Sequence, residues 1–283
     1  MSDSRVDSAV LAVQANGMAP EEVLDAAQRL DEAERTRTQI PLLSMQYPHA
    51  TLERAYAIQR QWLQLKFAAG RRMIGRKVGL TSRAMQAAVG VSTPDSGVLL
   101  DDMLFEDGAT LPGDRFIMPR VEAELAFVIR RRLCGPDVTM YDVLDCTSYV
   151  IPCMEILDTR IVRSDPASGR TRTIFDTVAD NAANAGVVLG GKPTPVDMVD
   201  LRWSGAILHR NGVIEETGLA AGVLNHPARA VAWLCNRLAT EGEAIEPGQI
   251  VLSGSFIRPI EASRGDVMHA DFGPIGSVTC RFG

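Results

Sequence analysis

The sequence predicts an α+β fold, in which a helical N-terminal region precedes a larger part rich in β-strands. Within residues 1–70, apolar side chains recur every three or four positions, as in helices that bury one face. From Met73 onward, short apolar runs alternate with glycine, proline and other turn residues, which is typical of strands. No repeat, low-complexity tract or long linker is present. We therefore predict a helical region at 1–70 and a main domain at 71–283.

Two helices are predicted in the N-terminal region. The first begins near Pro20, a residue favoured in the first helical turn, and Glu21 and Glu22 suit the positive end of the helix dipole. The second extends from Thr51, a residue suited to the N-cap, to Gly70, a residue suited to the helix end. Both patterns indicate helices packed through one apolar stripe.

The later elements follow from period and turn signals. An Asn211-Gly212 pair between two alternating runs predicts a β-hairpin, since both residues tolerate the left-handed backbone of a tight turn. Apolar positions at helical spacing predict a helix over Pro227–Leu238. We further predict strands at 74–80, 118–128 and 149–157, short helices at 83–89 and 138–145, and strands again near the C-terminus.

The composition disfavours several classes of function. Of the 283 residues, 46% are hydrophobic and 23% are charged, and the formal net charge is −6. This balance argues against nucleic acid as a partner, because phosphate binding requires a basic surface. No apolar run is long enough to span a bilayer, and no dinucleotide, P-loop, serine-hydrolase or zincin motif occurs. The five cysteines form no CxxC pair, which favours free thiols and a cytoplasmic protein.

Three glutamates in two predicted strands suggest a metal site. Alternation along MPRVEAELAFV places Glu122 and Glu124 on one face of a strand whose other face is apolar. In YVIPCMEIL, Glu155 is the one charge in a run suited to burial, where a carboxylate needs a partner or a metal. Such hard oxygen ligands suit Mg²⁺ or Mn²⁺. The alternative is a solvated strand face, with Glu155 paired to Arg120 or Arg160.

Further polar residues are candidates for catalysis or substrate binding. Lys77 lies between two glycines in a predicted strand, where a ligand could come close; a solvated edge lysine is the alternative. Asp95, in the loop STPDSG, is either a catalytic acid or a residue that fixes the turn. Ser255 could bind a carboxylate or mark a strand crossing, and Asp180 and Asn181 are either site residues or helix caps.

Taken in order, several motifs resemble those of the fumarylacetoacetate hydrolase superfamily. They are GRKVGLTS (75–82), TPDSG (93–97), PRVEAELAFV (119–128), the Glu155 strand, FDTVADNAANAGVVLGG (175–191), NHPARAVAWL (225–234) and the closing GDVMHADFGPIGSVTCRF. The resemblance covers the chain from about Arg35 to the C-terminus and is closest to the hydratase and decarboxylase branch of aromatic meta-cleavage pathways. It implies a mixed β-sandwich or roll with flanking helices, with 71–283 as the catalytic domain.

The resemblance also implies a site and a reaction. A divalent ion, usually Mg²⁺, would be held by residues matching Glu122, Glu124 and Glu155, beside a lysine matching Lys77 and a loop acid matching Asp95. Arg76 departs from the family pattern, so no role is carried over to it. The expected activity is hydration of an unsaturated 2-oxo dicarboxylate by a homo-oligomer built from dimers. Alternatives are decarboxylation, hydration of a monocarboxylate and a non-catalytic scaffold. Candidates for binding the far carboxylate are Arg160, Arg163 and Arg258.

Overall fold

The fold is taken from a computed structural model, which describes residues 18–88 and 90–283. Residues 1–17 and Val89 lie outside this description, and with them the start of the predicted helical region and the end of the helix predicted at 83–89. The described residues form two compact units. One comprises the chain up to Arg71 together with 159–183, and the other comprises 72–158 and 184–283. None of the described helices has the length and apolar character that crossing a membrane requires.

The elements are as follows. The helices are α1 (Pro20–Thr36), α2 (Leu43–Gln46), α3 (Leu52–Ala68), α4 (Arg83–Ala88), α5 (Met140–Cys146), α6 (Ile174–Ala179) and α7 (Pro227–Ala239). The strands are β1 (Met73–Gly79), β2 (Asp95–Leu100), β3 (Leu104–Glu106), β4 (Thr110–Leu111), β5 (Arg120–Ile129), β6 (Thr147–Leu157), β7 (Asn184–Leu189), β8 (Gly205–Arg210), β9 (Val213–Leu219), β10 (Ile250–Leu252), β11 (Ile260–Glu261), β12 (Val267–Asp271) and β13 (Ser277–Phe282). Short 3₁₀ turns occur at Asp101–Met103, Asn181–Ala183, Ala220–Gly222 and Gly273–Ile275.

The first unit is helical, and its packing explains its sequence. At the start of α1, the Glu22 carboxylate accepts a hydrogen bond from the Ala19 backbone N–H at 2.7 Å, which satisfies one free donor of the helix end. Helix α3 packs against α1 and α6 and buries Ile58 and Trp62 completely or nearly so. This unit includes 159–183, which the sequence-based division at residue 70 assigned to the main domain. The division into a helical region and a catalytic domain stays a prediction.

The second unit contains two mixed sheets. The larger has the strand order β2-β1-β10-β5-β6-β7-β3, and β11 also pairs with β5. Strands β5 and β6 are antiparallel neighbours, and β10 lies between β1 and β5, parallel to β1. The smaller sheet has the order β4-β13-β12-β8-β9. Mixed sheets with flanking helices are the architecture that the sequence predicted, and the α+β fold class is confirmed.

One apolar core joins the sheets and the helices of this unit. The face of β5 predicted to be buried lies in that core, as do residues of α7 and of the smaller sheet: Val121, Ala123, Leu125, Phe127, Ile129, Val231, Leu234, Met268 and Val278. Because side chains alternate along a strand, this placement turns the two glutamates of β5 to the opposite face of the sheet. The hydrophobic pattern of β5 therefore determines the orientation of its carboxylates.

Local turn and cap signals agree with the observed elements. Asn211 and Gly212 have φ values of 55° and 82° and connect β8 to β9, as the hairpin prediction required. Helix α7 begins at Pro227, and the imidazole Nδ1 of His226 accepts a hydrogen bond from the Ala228 backbone N–H at 3.1 Å. His226 therefore caps the N-terminus of helix α7.

Candidate metal centre

Strands β5 and β6 bring three glutamates together. Glu122 lies directly opposite Glu155 in the antiparallel register, and Glu124 follows two positions along β5 on the same face. One carboxylate oxygen from each residue lies within 4.8 Å of the other two. The spacing predicted from alternation therefore produces a three-carboxylate cluster on one face of the larger sheet.

Two of the three carboxylates are fully buried and only half-satisfied. Glu124 Oε2 accepts a hydrogen bond from the Gly254 backbone N–H at 2.7 Å, and Glu155 Oε1 accepts one from Asn184 Nδ2 at 2.7 Å. Among the described residues, Glu124 Oε1 and Glu155 Oε2 are buried without a hydrogen-bond partner. A buried carboxylate oxygen without a partner is costly, so these two atoms indicate a ligand between them.

Burial and mutual repulsion raise the pKa of the two carboxylates of β5. Burial, with repulsion from Glu155 as the next cause, raises the pKa of Glu122 to about 8. The same two causes, in the same order, raise the pKa of Glu124 well above its usual value. Because burial and repulsion favour the protonated carboxylates, a bound cation would stabilise the charged carboxylates in place of protons.

Lys77 supplies one positive charge to the cluster. Its Nζ lies 3.3 Å from Glu155 Oε1, and both side chains are buried. Burial lowers the pKa of Lys77, but attraction to Glu155, Asp95, Glu122 and Glu124 outweighs burial and raises it above its usual value. Lys77 is therefore a charged residue of the site rather than a solvated lysine at a sheet edge. The partners of Glu155 within its unit are Lys77 and Asn184.

Asp95 is held beside Lys77 by a close approach of β1 and β2. Asp95 lies opposite Gly79 in the register of these strands and is buried. A Cβ atom on Gly79 would lie 2.1 Å from Asp95 Oδ1 and 3.1 Å from Lys77 Nζ. Gly79 therefore creates the space in which the carboxylate and the ammonium group meet.

We expect Gly79→Ala to displace Asp95 and to shift Lys77 slightly, because the added carbon atom would overlap Asp95 Oδ1 and lie in tight contact with Lys77 Nζ. Stability should fall by about 1–3 kcal/mol, as for other overpacked sites, and activity should fall at least tenfold, as measured by urea unfolding and by kcat/KM. Gly205→Ala is the control, because its Cβ would meet its nearest neighbours at 3.4 Å and 3.5 Å, which is ordinary contact. Unchanged activity in Gly79→Ala would contradict the proposed placement.

The donor set fits a hard divalent cation. Within residues 18–88 and 90–283, it consists of carboxylate oxygens, two of which are buried without a hydrogen-bond partner, and it contains no histidine. Such ligands suit Mg²⁺ or Mn²⁺ better than zinc or copper. Residues Glu122, Glu124 and Glu155 would hold the ion, and Lys77 would add the positive charge that an anionic ligand requires.

A cavity of about 360 Å³ opens beside the cluster. Its lining includes Glu122, Ser255, Glu216 and Arg258. The Ser255 hydroxyl donates to the Ile257 carbonyl oxygen at 2.8 Å and accepts from the Ile257 backbone N–H at 3.2 Å, so its role in substrate binding stays a prediction. The cavity and the cluster share Glu122, which gives a ligand in the cavity access to a bound ion.

Other predicted site residues have structural partners in the helical unit. Arg160 is buried there, and its guanidinium group forms an ion pair with Asp180. Its backbone N–H also donates to Asp180 Oδ2 at 3.0 Å. Burial, the largest cause, raises the pKa of Asp180, although Arg160 and Arg172 oppose this shift. Asn181 lies next to this pair with φ of 51°. The assignment of Asp180 and Asn181 to substrate binding stays a prediction.

Sequence reasoning missed several residues that support the site. Asn184 and the Gly254 backbone N–H each donate to a cluster carboxylate. Asn184 lies in the quoted motif FDTVADNAANAG, as the polar first residue of an apolar strand, and this was the available signal. Gly254 has φ of 107°, and no local pattern links it to Glu124. Arg76, for which no role was carried over, forms an ion pair with Glu243.

Several known proteins are more than 30% identical to this chain. The chain is 57% identical over 256 residues to 2-oxo-hept-4-ene-1,7-dioate hydratase from Escherichia coli, covering 90% of this chain and 96% of that protein. It is 33% identical to 4-oxalocrotonate decarboxylase from Pseudomonas putida G7, whose structure is complexed with magnesium and adipate. That match has a TM-score of 0.88 and covers 94% of this chain and 99% of that one.

A more distant structure shares the fold. It is a protein from Yersinia pestis CO92 assigned to the fumarylacetoacetate hydrolase family, with 15% identity and a TM-score of 0.54. The match covers 74% of this chain and 92% of that chain. No family model matches the sequence.

Proposed function

Since the chain belongs to the fumarylacetoacetate hydrolase superfamily, in its hydratase and decarboxylase branch, we propose that it is a hydratase that depends on a divalent metal. The reaction is addition of water to 2-oxohept-4-ene-1,7-dioate, through its 2-hydroxydienoate tautomer, to give 4-hydroxy-2-oxoheptanedioate in aromatic catabolism. The assignment of this substrate rests on one observation, the 57% identity to 2-oxo-hept-4-ene-1,7-dioate hydratase over 96% of that protein.

The metal is Mg²⁺ or Mn²⁺, held by Glu122, Glu124 and Glu155. When bound, it supplies a Lewis acid that stabilises negative charge on the 2-oxo oxygen of the substrate. The buried oxygens Glu124 Oε1 and Glu155 Oε2, which have no hydrogen-bond partner within the described chain, support these ligands. The decarboxylase structure complexed with magnesium supports the choice of a hard cation.

Lys77 and Asp95 have separate roles, in binding the anionic substrate and in proton transfer. Lys77 holds its positive charge against Glu155, which favours binding of an anionic 2-oxo acid beside the acidic cluster. Asp95, close to Lys77, is the general base that takes a proton during the reaction. The hydroxydienoate first loses the proton of its 2-hydroxyl group and gains a proton at C5, which gives an α,β-unsaturated 2-oxo acid. Water then adds at C4 and loses a proton to the base, and C3 gains a proton.

The second candidate is a 4-oxalocrotonate-type decarboxylase. It would use the same metal ligands but release CO₂ instead of adding water, and the 33% identical decarboxylase structure favours it as the runner-up. Hydration of a monocarboxylate such as 2-hydroxypenta-2,4-dienoate is less favoured, because the relative at 57% identity is named for a dioate. A scaffold without catalysis is disfavoured by the retention of all three glutamates and Lys77. The chain functions in the cytoplasm as a homo-oligomer built from dimers. Its free cysteines support the first assignment, and the resemblance to the superfamily supports the second.

The experiment is an NMR time course of purified protein with Mg²⁺ and 2-hydroxyhepta-2,4-diene-1,7-dioate. A parallel sample contains 2-oxohex-3-enedioate. We expect the 4-hydroxy-2-oxo diacid in the first sample and no CO₂ in the second. Release of CO₂ in the second sample, with an inert first sample, would establish the decarboxylase in place of the hydratase.

A further inference from the structure

The cavity that shares Glu122 with the metal cluster has an unusual charge distribution. Its charged lining residues are Glu122, Glu216 and Arg258. A bound divalent ion accounts for Glu122, but a substrate with a second carboxylate would still meet the negative charge of Glu216. Like charges in a confined cavity repel each other unless a cation lies between them. Arg258 is the cation in the lining that can take this position.

Arg258 is held by one edge of its guanidinium group. Its Nε donates to Glu216 Oε2 at 2.6 Å, and the Arg258 side chain is 76% exposed while that of Glu216 is 21% exposed. Within the described part of the chain, its two terminal nitrogens have no protein acceptor. Arginine carries five donors in a planar fork that matches the two oxygens of a carboxylate. The contact with Glu216 therefore orients the group and leaves donors available for a second carboxylate.

The other arginines considered for this role are engaged elsewhere or lie in the helical unit. Arg160 is 3% exposed and tied to Asp180, and Glu34 lies 3.7 Å from its Nη1. Removing it from these partners to bind a substrate would leave the buried Asp180 carboxylate with one of its two arginines, Arg172, which is costly. Arg163 is not among the residues that line this cavity. Among these three arginines, Arg258 alone lines the cavity, and its terminal nitrogens have no acceptor among the described residues.

We propose that Arg258, oriented by Glu216, binds the carboxylate of the substrate that is remote from the metal, and so selects 2-oxo dicarboxylates over 2-oxo monocarboxylates. This inference rests on the proposed function and deepens it, because it assigns the substrate class to one residue pair. The 2-oxo acid end lies toward Glu122 and the metal cluster. The far carboxylate lies toward the mouth of the cavity, where Arg258 is exposed. Arg258 is a binding residue that contacts no reacting atom.

The test is binding of inert ligands to the full chain loaded with Mg²⁺, measured by titration calorimetry. The probes are 2-oxoadipate, a dicarboxylate, and 2-oxohexanoate, the monocarboxylate of the same length. Neither has the double bond that hydration requires, so the measurement is independent of turnover. We expect the wild-type chain to bind the dicarboxylate at least tenfold more tightly, as for a charge-assisted hydrogen bond.

The variants separate recognition of the carboxylate from general charge and from structure. Arg258→Gln should reduce the preference for the dicarboxylate to less than threefold, and Arg258→Lys should give an intermediate value, because it keeps the charge but not the fork. Arg281→Gln removes an exposed arginine of β13, outside the cavity lining, and should keep the full preference. Glu216→Gln should keep a preference of at least threefold for the dicarboxylate, because Arg258 is still present to bind the far carboxylate. Circular dichroism verifies the fold of each variant.

The outcomes distinguish this inference from the function on which it rests. A full preference in Arg258→Gln, or no preference in the wild-type chain, would overturn the inference while the metal-bound 2-oxo acid stays supported. Failure of the wild-type chain to bind either 2-oxo acid would overturn the proposed function together with the inference. Loss of the preference in Arg281→Gln would show that net charge, and not contact with Arg258, favours the dicarboxylate.

Discussion

Glu155→Gln should lower the affinity for Mg²⁺ or Mn²⁺ at least 100-fold and abolish hydration at ordinary metal concentrations. Glu155 is completely buried, and its Oε2 has no hydrogen-bond partner among the described residues. The replacement removes the charge of a ligand while keeping its shape. It also places an amide beside Asn184 Nδ2 and Lys77 Nζ, both of which are donors. Binding of Mn²⁺ followed by electron paramagnetic resonance measures the metal affinity without reference to turnover.

A matched variant isolates the effect of position. Glu106→Gln makes the same chemical change at an exposed residue of β3, in the same sheet, and should leave both metal affinity and activity unchanged. If Glu155→Gln bound Mn²⁺ as tightly as the wild-type chain, the metal cluster would be misassigned. If Glu155→Gln lost its fold, Glu124→Gln would provide the same test, because Glu124 Oε1 is also buried without a partner in the described chain.

The glutamate cluster could be predicted from the sequence because its geometry is local. Alternation along a single strand determines that Glu122 and Glu124 share a face, and the apolar residues that alternate with them determine which face joins the main core. The same reasoning isolates Glu155 as the charge in a buried strand. The Asn211-Gly212 turn is local for the same reason, since its backbone preference belongs to two adjacent residues. In each case, neighbouring residues carry the information.

The support around the cluster could not be predicted, because it depends on strands that are distant in sequence. Strand β10 is inserted between β1 and β5, and this insertion determines how far Lys77 lies from Glu155. The Gly254 backbone N–H reaches Glu124 because it follows β10. Asn184 reaches Glu155 across a register shift between β6 and β7. Sheet order and bulges arise from tertiary packing, which periodicity does not encode.

Lys77→Met should have two separable consequences, because the ammonium group both stabilises the metal-free site and binds the anionic substrate. Without metal, the variant leaves Glu155 buried with no cation 3.3 Å away, and the free energy of unfolding should fall by about 3–5 kcal/mol, as when one partner of a buried pair is removed. Activity should fall at least 100-fold even with saturating metal. Urea unfolding and kcat/KM measure the two effects.

Added Mg²⁺ should restore part of the lost stability of Lys77→Met but not its activity. A divalent ion between the carboxylates supplies the missing positive charge and stabilises the folded state in proportion to its binding. It cannot replace a charged donor placed beside Asp95. Lys192→Met, which removes an exposed lysine, should change neither quantity measurably. If metal-free Lys77→Met were as stable as the wild-type chain, the buried carboxylates would hold protons instead of sharing the charge of Lys77. Recovery of full activity with Mg²⁺ alone would restrict the role of Lys77 to stability.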